Sequence, residues 1–192
     1  MPSVPQAPRI SAAAIAAVGI QSLRKTGGII LLGRLGAPTP DQLRRAMSSL
    51  PTGVTIVTSS GSGGPAGATA NAVSSLSLEP PLMLACLDRG SRTLAVVRDA
   101  GRFGISVLAA DQGDLARAFA SKASHAEKFS EVAFSERSGV PILAGTVAWA
   151  ACSLRALHDG GDHEIAIGDV VELGADGGDP LVFHGGGYRG LG

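Results

Sequence analysis

Residues 66–87 limit most strongly what this chain can fold into. The segment begins with small, β-compatible residues up to Ala72, carries serines at 74, 75 and 77, and reaches consecutive prolines at 80 and 81. Proline donates no ladder hydrogen bond and pushes its predecessor out of the α region. The continuous apolar run 82–87 that follows is typical of a buried strand. The segment therefore predicts a strand, a polar loop and a buried strand, a frame in which loop amides and hydroxyls can approach an anion or a polar ring closely.

Composition favours one β-rich domain with an N-terminal extension. The chain has 192 residues, of which 45% are hydrophobic and only 4% aromatic, so its core must be built from aliphatic side chains. The 27 glycines favour many turns. The 16 basic and 16 acidic residues balance, and no basic face stands out, which argues against nucleic acid as a partner.

The two cysteines indicate reduced thiols. Cys86 and Cys152 each lie in an apolar run, and the sequence contains no C-x-x-C pair. Buried, reduced cysteines of this kind suit a reducing compartment. We therefore expect a cytoplasmic location.

Residues 1–38 form the extension. Its apolar runs, 10–20 and 29–32, are each shorter than the roughly 20 residues that span a bilayer, so we expect no transmembrane segment. Only Arg9 precedes the first run, which does not fit a signal peptide. The remaining explanations are a helix packed on a partner subunit, a peripheral membrane contact or a mis-assigned start codon. Subunit packing is the one we favour.

Periodicity and capping residues predict the secondary structure from residue 39 onward. A helix begins at Thr39, with Pro40 and Gln42 completing its start signal, and ends before Pro51. Ser91 is the expected N-cap of a second helix. The other predicted elements are strands at 54–59 and 102–108, a helix at 111–119, and a hairpin of strands 145–158 and 164–173, with Ile165, Ile167 and Val171 on one face.

A glycine-rich turn at 61–66 fits the dinucleotide-binding pattern G-x-G-x-x-[G/A]. That motif requires a helix to open at the turn, with its N-terminus on the pyrophosphate. The next segment contains Gly67, Thr69 and Asn71 and is poor helix material. We therefore expect a β-hairpin here and no Rossmann domain.

A cluster of acids and histidines at 158–164 raises the question of a metal site. His158 and His163 would lie on opposite flanks of a turn, and the acids between them are ordinary turn residues. No further cysteine or histidine cluster supplies the three or four ligands that a metal needs, so we assign no metal. No Ser-His-Asp or Cys-His arrangement can be argued either.

Four separated motifs resemble those of the flavin reductase-like family, in the same order. The first resembles T-A-N-S-x-x-S-x-S-x-x-P-P-L, and the matching residues are Thr69, Ala70, Asn71, Ser74 or Ser75, Ser77, Pro80, Pro81 and Leu82. Ala72 stands where that pattern usually has serine. The second motif, x-D-[RK]-x-S-x-T, is matched by Asp88, Arg89, Ser91 and Thr93. The third, D-K-F, is similar to residues 127–129. The fourth, G-[DG]-H-x-x-x-x-G-[ED]-V, is matched by Gly161, Asp162, His163, Gly168, Asp169 and Val170, and residues 183–189 resemble the family's ending.

The resemblance covers roughly residues 40–191 and implies both a fold and an activity. The implied fold is all-β: a six-stranded antiparallel Greek-key split barrel of the FMN-binding type, occupying residues 39–192 and forming a homodimer. The implied activity is reduction of FMN or FAD by NADH or NADPH, with the reduced flavin passed to a separate monooxygenase. Two alternatives stay open, a non-catalytic flavin-binding protein and a reductase of a bound metal or corrinoid substrate.

The resemblance also implies the site residues. Flavin contacts are expected from Thr69, Ala70, Asn71, Ala72, Val73, Ser74, Ser77, Leu87, Asp88, Arg89, Ser91, Thr93, Leu94, Lys128 and Phe129. His163 is assigned the catalytic position, where it would hydrogen-bond the nicotinamide carboxamide, and Tyr188 is expected in the same pocket. One part has independent physical support, because a helix N-terminus at Ser91 beside Arg89 and Arg92 attracts phosphate.

Overall fold

Residues 37–191 are described in this computed structural model. The apolar runs 10–20 and 29–32 lie outside the described residues. Four helices are present in the described part of the chain: α1 Pro40–Met47, α2 Arg92–Ala100, α3 Gly113–Ala120 and α4 His125–Phe129. None of these four is long and apolar enough to cross a membrane.

The strands are short, apart from one long pair. They are β1 Thr52–Gly53, β2 Thr55–Gly61, β3 Gly64–Ala70, β4 Val73–Leu78, β5 Pro81–Asp88, β6 Arg102–Val107, β7 Phe134–Arg137, β8 Val140–Leu143, β9 Ala148–Gly160, β10 His163–Ala175, β11 Val182–His184 and β12 Gly187–Arg189. The predicted strands and the predicted 145–173 hairpin are thus confirmed within a few residues.

The main sheet closes on itself. Its strand order is β3-β2-β6-β9-β10-β5-β4, with every neighbouring pair antiparallel. β3 and β4 therefore lie at opposite edges, yet only Asn71 and Ala72 separate them in the chain. Two residues cannot span an open sheet, so the sheet must curl until its edges meet. The backbone N–H of Cys86 donates to the carbonyl of Ala72 over 2.9 Å, which extends the β4–β5 pairing into this two-residue connection.

The predicted antiparallel barrel is confirmed, but its count of six strands is not. Seven strands form the main sheet among residues 37–191, and β1-β11-β12 and β7-β8 form two smaller sheets. One predicted loop is wrong, because Ser74, Ser75 and Ser77 lie on β4, paired with β5. Serines suit this edge strand because only one of its sides is paired, and a bulge between Ser75 and Ser77 interrupts the register.

Two apolar clusters lie on opposite faces of β2. Successive strand residues point to opposite faces, so Val57 packs with Leu94 and Phe103 inside the barrel, while Ile56 packs with Phe119 beneath α3. All five side chains are 0–1% exposed. The barrel interior thus anchors α2, and the second cluster anchors α3.

The fully buried residues of β10 are small ones, and its large aliphatic side chains are only half-buried or exposed. Bulges follow Ile167 and Val170, and they change the register against β9. Ala166 is fully buried, while Ile165 and Ile167 are half-buried on the other face and Val171 is 55% exposed. At Gly168 on the same strand the ring of Phe103 leaves no space for a side chain, since an added Cβ would lie 2.7 Å from it.

The turn at 61–66 is a hairpin, as predicted. Gly61 pairs with Gly64, and β3 follows directly, so no helix opens at this glycine-rich stretch. The left-handed backbone of Gly64, with φ of +92°, explains the need for glycine there.

Candidate functional site: a basic cleft at the start of α2

A cleft of about 600 Å³ opens beside the N-terminus of α2, and we call it the basic cleft. It is lined by Ala68, Thr69, Asp88, Gly90, Ser91, Arg92, Thr93, Phe119, Ala120, Ser121, Lys122, His125 and Lys128. Five predicted flavin contacts are therefore brought together, namely Thr69, Asp88, Ser91, Thr93 and Lys128. The volume lies within the ~300–1,000 Å³ range typical of small-molecule sites.

The start of α2 gives the basic cleft its preference for anions. Ser91 caps the helix, and its hydroxyl accepts the backbone N–H of Thr93 over 3.2 Å. The positive end of the helix dipole lies at the same helix start as Arg92, which also lines the cleft and whose Nη2 donates to the carbonyls of Lys122 and Ala123. Asp88 is the one acid that lines this cleft among residues 37–191, and its carboxylate accepts the N–H of Gly90 in its own turn, over 2.7 Å. A helix N-terminus with cations beside it is a general phosphate site.

Lys128 contributes a desolvated ammonium to the same cleft. Its side chain is 8% exposed, and Nζ donates to the carbonyl of Phe119 over 2.8 Å. Burial lowers the pKa of Lys128, and the charge of Arg92 lowers it further. An ammonium has three donors, so two remain for a ligand after the bond to Phe119.

His125 lies beside these cations as a neutral ring. The backbone N–H of Gly67 donates to Nδ1 over 3.4 Å, so this nitrogen carries no proton. Burial lowers the pKa of His125, and the charges of Arg92 and Lys128 lower it further. Its Nε2 is buried without a hydrogen-bond partner among residues 37–191.

The predicted contacts at 70–77 lie at the seam between β3 and β4. Ala70 is buried, whereas Ala72 and Ser74 are exposed and Val73 and Ser77 are half-buried. Asn71 donates from Nδ2 to the hydroxyl of Thr52 over 2.9 Å, and the hydroxyl of Ser74 donates to the carbonyl of Ser75 over 3.0 Å. These residues follow Thr69 directly, so they continue from the basic cleft, although none of them lines it.

Three other predicted contacts have side chains that belong to the core. Leu87 is 3% exposed, Leu94 is 0% exposed and Phe129 is 8% exposed. The ring of Phe129 packs edge-on against Phe119, with ring centroids 5.0 Å apart. Any ligand contact by the two leucines is therefore limited to their backbone. These three residues are close to site residues in the sequence, but their side chains are buried in the core.

Arg89 is engaged outside the basic cleft. Its guanidinium forms salt bridges with Asp159 at 2.6 Å and Glu164 at 3.1 Å, on the β9–β10 hairpin. These two acids, which the sequence placed in a possible metal cluster, thus serve as ion-pair partners. No group of three or more His, Cys, Asp or Glu side chains in the described part of the chain could hold a metal ion.

His163 lies beside the basic cleft without lining it. It is paired with Asp88 in the β10–β5 register, and Asp88 does line the cleft. Nδ1 of His163 lies 2.8 Å from Oδ1 of Asp162, and this contact lowers the pKa of Asp162. With Nδ1 directed at a carboxylate, Nε2 is the nitrogen that can address a ligand.

Tyr188 lines a second cleft and not the basic cleft beside which His163 lies. This second cleft, of about 320 Å³, is lined by Ala110, Asp111, Gly113, Asp114, Arg117, Leu181, Tyr188, Arg189 and Gly190. The guanidinium of Arg117 lies over the Tyr188 ring, 5.4 Å from its centroid. Tyr188 is separated from the hairpin because β11 and β12 pair with β1 and not with the main sheet.

Sequence reasoning missed several cleft residues, chiefly those that α3 and α4 bring in. They come from the end of α3, the connection to α4 and the first residue of α4, namely Phe119, Ala120, Ser121, Lys122 and His125. A local signal existed for α4, where Ser124 and Glu127 form a complete capping box. Nothing local indicated that this helix start would face the start of α2, since that depends on the packing of Phe119 and Phe129 on β3.

Comparison with known proteins places these features in a family. Residues 47–192 match the model of the flavin reductase like domain. The NADH-dependent flavin reductase of a Rhodococcus species is 40% identical over 156 residues, which is 80% of this chain and 87% of that protein. The reductase subunit HsaB of a flavin-dependent monooxygenase from Rhodococcus jostii is 38% identical, covering 79% of this chain and 78% of its own length.

Solved structures give the same assignment. BorF, the flavin reductase component of a bacterial two-component tryptophan halogenase, is 38% identical with a TM-score of 0.74, covering 80% of this chain and 98% of that chain. The NADH:FAD oxidoreductase of Streptomyces globisporus is 37% identical with a TM-score of 0.76, covering 83% and 98%. The family model covers residues 47–192, and the closed antiparallel sheet agrees with the structural matches. The chain therefore belongs to the flavin reductase-like family and has its split-barrel fold.

Proposed function

We propose that this protein is an NADH-dependent flavin reductase that supplies reduced flavin to a separate monooxygenase. The observation that carries the proposal is the basic cleft, where the N-terminus of α2 and the three cationic side chains of Arg92, Lys122 and Lys128 meet at the edge of a barrel of this family. Relatives described as NADH-dependent flavin reductases and as monooxygenase reductase subunits support the nicotinamide and the role.

The residues of the basic cleft fit the phosphate of FMN or FAD. The amides at the start of α2, the guanidinium of Arg92 and the ammonium of Lys128 are the donors that bind phosphate in proteins. The neighbouring seam at 70–77 offers exposed backbone for an uncharged ring system. We assign the phosphate to the cleft and the tricyclic ring to the seam.

The chemistry belongs to the cofactors, and the chain aligns them. Bound flavin supplies an acceptor for the hydride that the reduced nicotinamide donates. The contribution of the chain is orientation, which is worth several kcal/mol when two reactants are held in contact. Asp162 holds Nδ1–H of His163, so Nε2 can accept a hydrogen bond from the carboxamide NH₂ and steady the nicotinamide.

We also propose that the protein acts as a homodimer. The outer face of β5 and β10 carries Leu84, Ile165 and Ile167, all half-buried, and Leu78 on adjacent β4 is 90% exposed. An apolar surface of this kind favours an interface. Light scattering with size exclusion should give twice the 19.2 kDa chain mass; a monomer at micromolar concentration would refute this part of the proposal.

The function is tested by mixing the purified full chain with each flavin and each nicotinamide. Absorbance at 340 nm should fall when FMN or FAD is added to NADH, and NADPH should be the poorer donor. No turnover in any of the four combinations would refute the proposal. Flavin binding without nicotinamide oxidation would instead identify a non-catalytic flavin-binding protein.

The role of His163 is tested by His163→Ala, with His158→Ala as the matched control. His158 is an exposed histidine on the neighbouring strand, paired with Ile165. Loss of one hydrogen bond to the carboxamide should raise the KM for NADH by roughly three- to tenfold and leave the flavin KM unchanged. His158→Ala should change neither constant. Equal effects of His163→Ala on both substrates would contradict the assigned role.

A further inference from the structure

The tip of the β9–β10 hairpin accepts a hydrogen bond from each of the three guanidinium nitrogens of Arg89. Nε donates to the carbonyl of Gly161 over 2.7 Å, Nη1 to Oε1 of Glu164 over 3.1 Å, and Nη2 to Oδ1 of Asp159 over 2.6 Å. The backbone N–H of Arg89 also donates to the carbonyl of Asp162 over 3.0 Å. Four hydrogen bonds thus join one residue of the β5–α2 turn to both sides of the hairpin turn.

A second arginine reinforces this contact from α2. Nη2 of Arg98 donates to both carboxylate oxygens of Glu164, each over 2.8 Å. The side chain of Glu164 is only 15% exposed, although those of Arg89 and Arg98 are 42% and 54% exposed. The two guanidiniums compensate the charge of this mostly buried carboxylate. Removal of either arginine leaves the carboxylate with fewer hydrogen bonds and less opposing charge.

The residues directly before and after His163 in the chain both take part in these contacts. Asp162 and Glu164, its two neighbours, are both held by Arg89, and His163 itself is paired with Asp88. Arg89 does not line the basic cleft, whereas Arg92, three residues further on, does. The family motif suggested Arg89 as a flavin contact, but each of its guanidinium nitrogens is directed at the hairpin.

We propose that Arg89, supported by Arg98, is a positioning residue for nicotinamide binding: it fixes the hairpin tip, and thereby His163, at the end of β5. The proposal rests on the proposed function for its substrate. Without the clamp the hairpin tip would sample other positions, so part of the nicotinamide binding energy would be spent on ordering it.

The test compares Arg89 with Arg92, because opposite effects on NADH and on FMN are expected when each is replaced. Arg89→Ala should raise the KM for NADH by roughly three- to tenfold, the ratio expected from losing one or two partly exposed ion pairs. Its dissociation constants for FMN and for riboflavin, which lacks the phosphate, should stay unchanged. Arg92→Ala should weaken FMN relative to riboflavin and leave the NADH KM unchanged at saturating flavin. If Arg89→Ala weakens FMN but not riboflavin, Arg89 is a phosphate ligand and the proposal is overturned.

A double variant separates positioning from general destabilisation. If Arg89 acts through His163, Arg89→Ala should add little to the NADH KM in a His163→Ala background. Arg89→Lys keeps the charge but cannot reproduce three directed N–H bonds, so it should restore only part of the KM. The assigned role would be refuted if the two single effects on the NADH KM multiplied in the double variant. It would also be refuted if Arg89→Lys had the wild-type KM.

A measurement without turnover keeps the clamp testable if the wild-type protein reduces no flavin. Amide hydrogen exchange of residues 159–164 should be faster in Arg89→Ala than in the wild type, while exchange in β6 stays equal. Absence of NADH oxidation by the wild type would refute the proposed function alone. Unchanged exchange at the hairpin tip would refute the clamp alone.

Discussion

A side chain at Gly168 is expected to be unfavourable, because this residue faces a tightly packed part of the barrel interior. A Cβ added at this position would lie 2.7 Å from Cβ of Cys152 and 2.7 Å from ring atoms Cε1 and Cζ of Phe103. Cys152 is 1% exposed and Phe103 is 0% exposed, so neither neighbour can move toward solvent. Gly168→Ala should therefore destabilise the fold.

The expected magnitude follows from two opposing terms. Overpacking a core by one methyl group costs about 1–3 kcal/mol. Replacing glycine by alanine restricts the unfolded chain and recovers about 0.4–1 kcal/mol. The net expectation is a loss of about 1–2 kcal/mol in the free energy of unfolding, or a Tm lower by about 2–8 °C for a chain of this size.

The assay is guanidinium unfolding followed by the fluorescence of Trp149, the single tryptophan of the chain. Gly187→Ala is the matched control, because Cβ at Gly187 would meet nothing within 4 Å. This control should change stability by no more than about 0.5–1 kcal/mol, and in the stabilising direction if at all. Equal protein concentrations are needed, since association raises apparent stability.

Two results would refute the packing argument for Gly168. One is an unfolding midpoint of Gly168→Ala equal to or above that of Gly187→Ala. The other concerns Phe103→Leu, which removes the two ring atoms that the new methyl group would meet. Combining it with Gly168→Ala should cost less than the sum of the single effects; strict additivity would mean that the ring does not limit this position.

Two further predictions concern charged and titrating groups. Lys128→Met should raise the dissociation constant for FMN roughly tenfold or more while leaving riboflavin binding unchanged, because it removes a charged donor to phosphate; equal losses for both flavins in a titration would contradict this role. For Cys152, burial, with a smaller contribution from the charge of Asp169, raises the pKa to about 12 from the ordinary 9.0. Its thiol should resist iodoacetamide at pH 8 until the protein is unfolded, and its contribution to stability should be complete below pH 9 and lost as pH rises toward 12. Cys152→Ala should lose this part of the pH dependence; an unchanged alkaline slope would refute it.

Local sequence determined the elements whose signals are carried by neighbouring residues. The hydrogen bonds between Thr39 and Gln42 that begin α1 are present, as is the Ser91 cap of α2. Pro80 lies between β4 and β5, Pro81 begins β5, and the glycines at 61–64 make a hairpin. Caps and turns depend on backbone geometry within a few residues, so they can be predicted without knowledge of the fold.

Tertiary structure decided which residues meet at the site. Nothing local distinguishes Arg89 from Arg92, yet the first turns to the hairpin and the second to the basic cleft. The serines of 74–77 form a strand only because β5 pairs with them. Tyr188 is kept apart from His163 because its hairpin joins the small sheet of β1.

The sequence by itself thus determined the family, the order of the elements and most candidates for flavin contact. The closure of the sheet determined the partners of each candidate, because it brings residues far apart in the chain, such as Lys128 and Ser91, to one cleft. Long-range pairing and burial, which local spacing does not encode, assign each side chain to the core, the hairpin or the basic cleft.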